Sequence, residues 1–219
     1  MFSRVLVSAG GTHEPWDDVR YLANRSTGRQ GCEIARAARD LGAAEVCVVA
    51  ANVNPELLPP HAQIHQVQTA AEMNQAMLAL LPHQDLVVQC AAVADFRPRR
   101  VAGKITRHDD ELPVMELERT EDILSNLLAQ RRREQFVIGF GAISGTDEEV
   151  FSKGRQKALL KGADLLAVNR VGEHSGFALA HNTLLIFDAT GTMVGKTSGT
   201  KYEVGRYLIG LAAEQAKRH

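Results

Sequence analysis

Apolar runs of strand length alternate with longer segments of helical periodicity along the chain, and this alternation most constrains the fold. Runs such as RVLVSA and EVCVVAA are apolar at nearly every position, whereas CEIARAARDLGA places its apolar residues on one helical face. Short runs that are apolar throughout are typical of strands buried on both faces. The alternation therefore predicts an α/β fold, a doubly wound and mostly parallel sheet with helices on both faces.

The C-terminal part adds a hairpin to this Rossmann-like sheet. The segment NTLLIFDATGTMVG has the pattern of two strands joined by a turn at Ala189-Thr190-Gly191, and KYEVGRYLIGLAAEQAKR follows as a closing helix. The chain contains no internal repeat, no low-complexity tract and no shift of composition. We therefore expect one domain, residues 1–219, that ends in a β-hairpin and a helix.

Composition and charge exclude several classes of function. The formal net charge is −1, so we expect neither nucleic acid nor a membrane surface as a partner. The longest apolar runs fall short of the ~20 residues of a membrane span, and MFSRVLVSAGG is too short and glycine-rich for a signal peptide. Cys32, Cys47 and Cys90 are odd in number and far apart in sequence, which favours buried free thiols over disulfides or a catalytic thiol. A cytoplasmic location is the expectation.

An unusually long connection follows the first predicted strand. In α/β folds two to six residues typically join a strand to the next helix, but SAGGTHEPWDDVRYLANRSTGRQG separates them here by about twenty. Its end, STGRQG, opens a helix, and a helix N-terminus offers free N–H groups to an anion. This pattern favours a phosphate site, with tight turns and close helix packing as the alternative.

Four stretches are candidates for the ligand site, because ligands of open α/β sheets lie beyond the carboxyl ends of the strands. They are residues 10–31, 90–104, 140–145 and 169–177. An NAD(P)-dependent reductase of the short-chain type also opens with a strand and a glycine-rich turn. However, the long connection breaks its compact glycine fingerprint, and the residues four positions after Tyr21, Tyr202 and Tyr207 are Arg25, Arg206 and Leu211 rather than lysine.

Taken together, five motifs point to a different family. SAGGTHEPWDDVRYLANRSTGRQG, CAAVADFRP, GKI, IGFGA and KALLKGADLLAVN occur in this order. With them the chain resembles the phosphopantothenoylcysteine synthetases, the ligases of coenzyme A biosynthesis, from Val5 to the closing helix. In many bacteria this domain is fused behind a flavin-dependent decarboxylase. The resemblance leaves no residues here for that partner, so we expect a stand-alone synthetase without flavin, and a separate decarboxylase as a possible partner.

The resemblance implies a ligase that joins 4'-phosphopantothenate to L-cysteine. The carboxylate attacks CTP, pyrophosphate leaves, and the cysteine amine displaces CMP from the acyl-cytidylate. Mg²⁺ is expected because the triphosphate must be neutralised during attack, although no metal ligand is identified. The resemblance also implies a homodimer in which one subunit completes the other's site. We take the hairpin as its candidate contact, since an isolated pair of strands needs a surface.

Three residues are expected to take part in catalysis. By resemblance, Asn24 holds the acyl-nucleotide, with a left-handed turn as the alternative. Arg20 lies with Ala92 near the phosphopantothenate end, where its guanidinium could bind phosphate or carboxylate; the alternative is an ion pair with Asp17 or Asp18. Lys104 belongs to a flexible segment over the phosphates, with plain solvent exposure as the alternative.

The resemblance implies a larger nucleotide-binding set. Lys157 and Lys161 lie four apart on one helix face and repel each other unless an anion lies between them; a solvated helix face is the alternative. Asp95 could instead cap a loop or helix, and Phe140 could be ordinary core. The full set is Gly10, Cys90, Ala91, Asp95, Lys104, Thr120, Glu121, Asp122, Ile123, Phe140, Lys157 and Lys161.

The chain departs from the family pattern at three places. The family's Gly-Phe-Ala-Ala-Glu-Thr is GFGAISG here, with Ser144 or a neighbour in place of the glutamate. Its Asn-Pro-Asp-Ile is TEDI at 120–123, and its KIKK is KITR, which leaves Lys104 and Arg107. These departures keep open a preference for ATP over CTP. The altered GFGAISG segment also keeps open a non-catalytic, nucleotide-binding regulator on the same fold.

Overall fold

A computed structural model describes residues 1–106, 114–171 and 181–218, and its architecture is the predicted α/β fold. Five helices and twelve strands occur in the described residues. The helices are α1 Arg29–Asp40, α2 Ala70–Leu80, α3 Ile123–Gln130, α4 Asp147–Lys161 and α5 Lys201–Gln215. The strands are β1 Arg4–Gly10, β2 His13–Pro15, β3 Tyr21–Ala23, β4 Glu45–Ala51, β5 Gln63–Val67, β6 Leu86–Gln89, β7 Phe96–Pro98, β8 Leu117–Arg119, β9 Phe136–Ile143, β10 Leu165–Arg170, β11 His181–Asp188 and β12 Met193–Thr200.

Eight strands form the central sheet in the order β12-β11-β10-β9-β6-β1-β4-β5. The six strands from β10 to β5 are parallel, and β11 and β12 are antiparallel. From β1 the chain proceeds outward through β4 and β5, and then returns to β6 and proceeds the other way. The reversal opens a crevice at the carboxyl ends of β1 and β6, where open α/β sheets bind their ligands.

Helices cover both faces of this sheet, which explains the apolar runs of the central strands. Val5 and Val7 of β1 point into a core cluster with α1 and α5, whereas Leu6 points into a second cluster with α2 and α3. A third cluster lies beneath α4 and includes Phe187. Because successive residues of a strand point to opposite faces, each central strand must be apolar at every position.

The C-terminal hairpin is confirmed, but its interpretation as an isolated element is wrong. Strand β11 pairs with β10, with Leu165 opposite Asp188, so the hairpin extends the main sheet. Its packing surface is therefore provided within the chain, by β10 and by α5. Isolation of the hairpin no longer gives a reason to expect a subunit contact there.

Two small hairpins were not predicted from the sequence. Strands β2 and β3 pair within the long first connection, and β7 pairs with β8. His13 and Tyr21 stack across the first of them, with ring centroids 4.0 Å apart. Three-residue strands are too short to show an alternating pattern, so only the folded chain reveals them.

Two other expectations can be compared with the structure. All three cysteines are free thiols; Cys32 and Cys47 are buried and Cys90 is half-buried. Among the helices of the described residues, none combines the length and the hydropathy needed to cross a bilayer.

Gly31 and Gly210 provide a test of how closely α1 packs on β1. A Cβ on Gly31 would lie 2.7 Å from Ala9 Cβ and 2.8 Å from the Ser8 carbonyl oxygen. Gly31→Ala should therefore destabilise the fold by roughly 1–3 kcal/mol. Gly210→Ala is the matched control, because a Cβ there meets nothing within 4 Å, and alanine in a helix should stabilise by about 0.5–1 kcal/mol. Urea unfolding measures both; equal effects would contradict close packing at Gly31.

Candidate active site

A cavity of about 700 Å³ lies at the carboxyl edge of the sheet, where the strand order reverses. Its wall combines the turn into α1, the segment after β6, the start of α3, and residues of β9, α4, β10, β11 and α5. The lining residues are Gly10, Asn24, Ser26, Thr27, Gly28, Arg29, Gln30, Gly31, Gln89, Cys90, Ala91, Ala92, Val93, Ala94, Asp95, Phe96, Arg119, Thr120, Glu121, Asp122, Ile123, Leu124, Phe140, Ala142, Lys157, Lys161, Asn169, Asn182 and Lys201.

Glycines allow the backbone to bend sharply at the mouth of this cavity. Gly10 ends β1 with φ +96°, and a Cβ there would lie 1.8 Å from the Ala51 carbonyl oxygen. Gly28 precedes α1 with φ +79°, and no side chain caps that helix. The first N–H groups of α1 therefore face the cavity with the partial positive charge of a helix N-terminus.

Two buried hydroxyls hold the segment after β6 in place. Ser8 Oγ accepts hydrogen bonds from the N–H groups of Cys90 and Ala91, both at 3.0 Å. Thr12 Oγ1 accepts one from the Ala94 N–H, also at 3.0 Å. Two residues of the predicted site, Cys90 and Ala91, and the nearby Ala94 thus depend on side chains of β1 and of the residues just beyond it.

Asn24 lies on the cavity wall beside Ala92. Its Nδ2 donates to the Ala92 carbonyl at 3.3 Å and to the Val93 carbonyl at 3.1 Å. Asn24 is not in the left-handed turn conformation that was the alternative. Among the non-glycine residues that the structure describes, positive φ occurs at Asn52 alone. Both bonds use Nδ2, so Asn24 Oδ1 remains available as an acceptor.

The α3 side of the cavity carries paired charges. Asp122 caps α3 by accepting from the Ser125 N–H at 3.1 Å, and Lys161 Nζ donates to its other carboxylate oxygen. Burial opposes ionisation of Asp122, but these hydrogen bonds outweigh it and lower its pKa. Lys157 lies along Gly141, where a Cβ would approach its Cδ to 3.3 Å. Asp122 thus balances Lys161, so the two lysines do not require an anion between them.

The α1–α5 side contains polar residues that sequence reasoning missed. Gln30 Nε2 donates to the Lys201 carbonyl and its Oε1 accepts from Asn182 Nδ2, both at 3.0 Å. Lys201 is only 4% exposed. Burial, and then the nearby charge of Arg29, lower the pKa of Lys201. The STGRQG signal could have identified Gln30, but Asn182 and Lys201 reach the cavity only through the hairpin and the closing helix.

Cys90 lines the same cavity as a neutral thiol. Burial, followed by the neighbouring Cys32, raises the pKa of Cys90 far above its usual range. A thiol acts as a nucleophile only as the thiolate. The arrangement therefore favours a structural Cys90 over the catalytic thiol that the sequence left open.

Arg20 and Lys104 do not line the cavity in this conformation. Arg20 forms an ion pair with the buried carboxylate of Asp17 and donates twice to the Ile105 carbonyl, each at 3.2 Å. Asp17 also accepts from the Ile105 N–H at 3.1 Å. Lys104, next to this anchor, is exposed. Arg107, also predicted from the sequence, lies outside the described residues.

Asp17 is well suited to this anchoring role. Burial alone would raise its pKa, but hydrogen bonds from the N–H groups of Val19, Arg20 and Ile105, with the Arg20 charge, lower it to about 2. Two further backbone bonds join the same elements, from Asp18 N–H to Gly103 and from Val101 N–H to Trp16. The β2–β3 connection thereby fixes the position of residues 101–105.

The other predicted site residues converge on the cavity. Phe140 is half-buried and packs against the core while lining the cavity, and Asp95 is exposed at its rim. Of the altered GFGAISG segment, Phe140 and Ala142 line it and Ser144 does not. Of the stretch 169–177, Asn169 lines it, and residues 172–177 lie outside the described residues.

The cavity carries carboxylates but no preassembled metal cage. In the ranges that the structure describes, no group of three or more His, Cys, Asp or Glu side chains could hold a metal ion. Asp95, Glu121 and Asp122 line the cavity singly. Mg²⁺ commonly binds through one or two carboxylates together with substrate phosphates, so this set fits a metal that arrives with a nucleotide.

Comparison with known proteins assigns a family. The family described as "DNA/pantothenate metabolism flavoprotein C-terminal domain" matches residues 2–215. The coenzyme A biosynthesis bifunctional protein CoaBC of Mycolicibacterium smegmatis is 36% identical over 205 residues, which are 90% of this chain and 49% of that protein. The chain thus spans about half the length of the curated relatives it matches.

Two solved structures resemble the fold. A crystal structure of the C-terminal domain of a CoaBC protein is 32% identical, with a TM-score of 0.74 and coverage of 99% of this chain and 98% of that one. A complex of the Cab2 mutant H337A with phosphopantothenate-cysteine has a TM-score of 0.76, with coverage of 99% and 88%. At 13% identity it supports the fold alone.

We predict that Asp17→Asn releases residues 101–105. The variant loses the charge that pairs with Arg20, so hydrogen–deuterium exchange at the Ile105 amide should rise severalfold. Asp18→Asn is the matched control, because Asp18 is exposed and its side chain contacts Arg100. In the wild type the anchor should persist above pH ~4 and weaken as the pH falls toward the lowered pKa of Asp17. Equal exchange in both variants would argue against the anchor.

Proposed function

We propose, since this chain belongs to the DNA/pantothenate metabolism flavoprotein C-terminal domain family, that it is the ligase that joins 4'-phosphopantothenate to L-cysteine. The observation that carries the proposal is the contact of Asn24 with the Ala92 and Val93 carbonyls inside the cavity. It unites the long first connection and the segment after β6, the two motifs on which the family resemblance most depends. The name of the CoaBC relatives supports the pathway, coenzyme A biosynthesis.

The proposed chemistry explains why the cavity gathers positive charge. A carboxylate reacts poorly with an amine until its oxygen becomes part of a better leaving group, here CMP in an acyl-cytidylate. Both phosphorylated substrates are anions, so the enzyme must hold them together against repulsion. Lys157, Lys201 and the N-terminus of α1 face the cavity and can offset that repulsion.

Asn24 is proposed to position the acyl-nucleotide for the second step. Its Nδ2 is held by two carbonyl groups, so the side chain has a fixed orientation, and its Oδ1 can accept from a ligand. A neutral amide fits this role because the intermediate beside it carries a phosphate charge. The segment after β6, bound to Asn24 through the Ala92 carbonyl, forms the other wall of that subsite.

Lys104 is proposed to act in the first step. Its neighbour Ile105 is anchored by Asp17 and Arg20, so the segment has a defined base from which the exposed lysine can reach over bound phosphates. In this view Arg20 contributes through the anchor, and a direct contact of Arg20 with phosphopantothenate requires the ion pair with Asp17 to open.

CTP, Mg²⁺ and a homodimer complete the proposal. We propose CTP rather than ATP as the nucleotide, and Mg²⁺ as the ion that neutralises its phosphates, with the exposed Asp95 as the carboxylate that would hold it together with the nucleotide. A second subunit would complete the site. A separate decarboxylase that consumes the product is the proposed metabolic partner.

Pyrophosphate release tests the proposed ligase. With 4'-phosphopantothenate and Mg²⁺, CTP should give more pyrophosphate than ATP. A single turnover of pyrophosphate release should occur even without cysteine. No release with either nucleotide would contradict the ligase and leave the nucleotide-binding regulator. A stronger response to ATP would overturn only the nucleotide preference, and thermal stabilisation by NADP alone would favour the reductase.

Two variants should separate the half-reactions. Lys104→Gln removes the charge that offsets phosphate repulsion, so acyl-cytidylate formation should fall by roughly a hundredfold or more. Asn24→Asp adds a negative charge beside the intermediate but leaves the lysines, so the intermediate should form and pass slowly to cysteine. Mass spectrometry of quenched reactions measures the intermediate.

The matched control for Lys104 is Lys153→Gln, because Lys153 lies on α4 outside the cavity and pairs with Glu149. It should behave like the wild type. Accumulation of acyl-cytidylate by Lys104→Gln, or its absence in Asn24→Asp, would show that the assigned roles are wrong even if the chain is the ligase.

A further inference from the structure

A carboxylate of the long first connection is buried outside the cavity wall. Glu14, on β2, is only 2% exposed and is not among the residues that line the cavity. Its Oε1 accepts a hydrogen bond at 2.8 Å from the N–H of Ala70, the first residue of α2. Burying a charge is costly unless hydrogen bonds and opposite charge surround it. The N–H and the partial positive charge of the α2 N-terminus meet this need, so Glu14 joins the connection to α2.

Helix α2 does not depend on Glu14 for its own capping. Thr69 Oγ1 accepts from the Glu72 N–H at 3.2 Å, and Glu72 Oε2 accepts in return from the Thr69 N–H at 3.4 Å. The same Oε2 accepts from the Gln68 N–H at 2.7 Å. This capping box satisfies the backbone donors on both sides of Ala70. The contact of Glu14 is additional to the cap, and it fixes the connection rather than the helix.

Further hydrogen bonds join the same two segments beside Glu14. The His13 N–H donates to the Gln68 carbonyl at 2.9 Å. Asn52 Nδ2 donates to the Gly11 carbonyl at 2.9 Å and to the Gln68 carbonyl at 3.2 Å. Asn52 follows β4 directly and has φ +52°, a left-handed conformation that is uncommon outside glycine. Residues 11–14 are therefore held against the ends of β4 and β5.

Residues 11–14 in turn support Asn24. His13 pairs with Ala23 in the β2–β3 hairpin, so Asn24 directly follows the paired residues. Gly11 lies against it as well, since a Cβ on Gly11 would come within 3.1 Å of the Asn24 carbonyl oxygen. A displacement of residues 11–14 must therefore move Asn24 on the cavity wall.

We propose that Glu14 and Asn52 are positioning residues, which hold Asn24 at the cavity wall through residues 11–14. Neither of them lines the cavity, so both act at a distance from the substrates. Their part in catalysis rests on the proposed function, in which Asn24 orients the acyl-cytidylate for attack by cysteine. Loss of either residue should therefore impair the transfer to cysteine.

The first half-reaction should be much less sensitive to these two residues. It is assigned to Lys104, and residues 101–105 keep their own bonds to the turn of the β2–β3 hairpin, through Asp17 and the Trp16 carbonyl. A role confined to stability would leave the ratio of the two rate constants unchanged, because it reduces only the amount of folded enzyme. The ratio of the two rate constants is therefore the diagnostic readout.

Hydrogen–deuterium exchange of the unliganded protein tests the placement of Asn24. Glu14→Ala leaves the Ala70 N–H without its acceptor, so exchange in residues 21–24 should rise severalfold. Glu14→Gln keeps an oxygen of similar reach and should restore most of the protection. Glu72→Ala is the matched control, because it removes the other carboxylate from the same helix end and does not touch β2. Exchange in residues 21–24 should stay at the wild-type level in this control.

Single-turnover mass spectrometry tests the effect on catalysis. In Glu14→Ala, transfer to cysteine should slow about tenfold, while acyl-cytidylate formation stays within about threefold of the wild type. Glu14→Gln should return transfer to within about threefold of the wild type. In the Asn24→Ala background, Glu14→Ala should have little further effect on transfer, because a residue that acts through Asn24 has nothing left to position.

Asn52→Gly provides an independent variant that is expected to fold. Asn52 is exposed, and glycine adopts its positive φ without strain. The variant removes the bonds to the Gly11 and Gln68 carbonyls, so it should raise exchange in residues 21–24 and slow transfer more than acyl-cytidylate formation. If Glu14→Ala does not fold, wild-type behaviour of Asn52→Gly would overturn the inference.

The outcomes separate this inference from the proposed function. Unchanged exchange in Glu14→Ala, an unchanged ratio of the two rate constants, or losses from Glu14→Ala and Asn24→Ala that multiply would overturn the inference and leave the ligase intact. If the wild type releases no pyrophosphate, the ligase fails. The exchange results alone then decide whether Glu14 and Asn52 hold Asn24 in place.

Discussion

The pairing between the first strand and its neighbour β6 continues beyond the ends of both strands, and the cavity depends on it. The Ala92 N–H donates to the Gly10 carbonyl at 2.8 Å, and the Thr12 N–H donates back to the Ala92 carbonyl at 3.3 Å. These bonds join the two loops that, at a reversal of strand order, would otherwise diverge. Gly10 is required for a second close approach at the same point, because a side chain there would strike the Ala51 carbonyl of β4. Ser8, Thr12 and Asn24 then add their own bonds to the same segment.

Most of the sheet could be predicted from the sequence, because burial on both faces gives a parallel strand a continuous apolar run. The run RVLVSA is of this kind. The helix before Gly42 was predictable for another reason, its single apolar face, and Gly42 has the left-handed φ expected after a helix. The short hairpins were not predictable, since His13–Pro15 and Tyr21–Ala23 owe their pairing to neighbours rather than to a pattern. The docking of β11 on β10 also depends on tertiary structure, because local sequence carries no information about a strand's outer neighbour.

The candidate site was predictable where it follows motifs and not where the fold assembles it. Residues such as Asn24 and Asp122 belong to recognisable segments, and they line the cavity. Lys201 and Asn182 come from the other end of the chain, so no spacing could relate them to the first loop.

The closing helix has a consequence for how the protein is made. Helix α5 packs on α1 so closely that a Cβ on Gly205 would lie 3.1 Å from the Ile34 Cα, and it brings Lys201 to the cavity. During synthesis, a chain that has left the ribosome only through β10 can form the parallel strands but has neither the cover for this face of α1 nor the complete cavity wall. Its apolar residues there remain open to water, as in the incomplete intermediates of larger domains. The cavity wall is therefore complete only after β11 and α5 have joined the parallel strands, because these two elements supply Asn182 and Lys201.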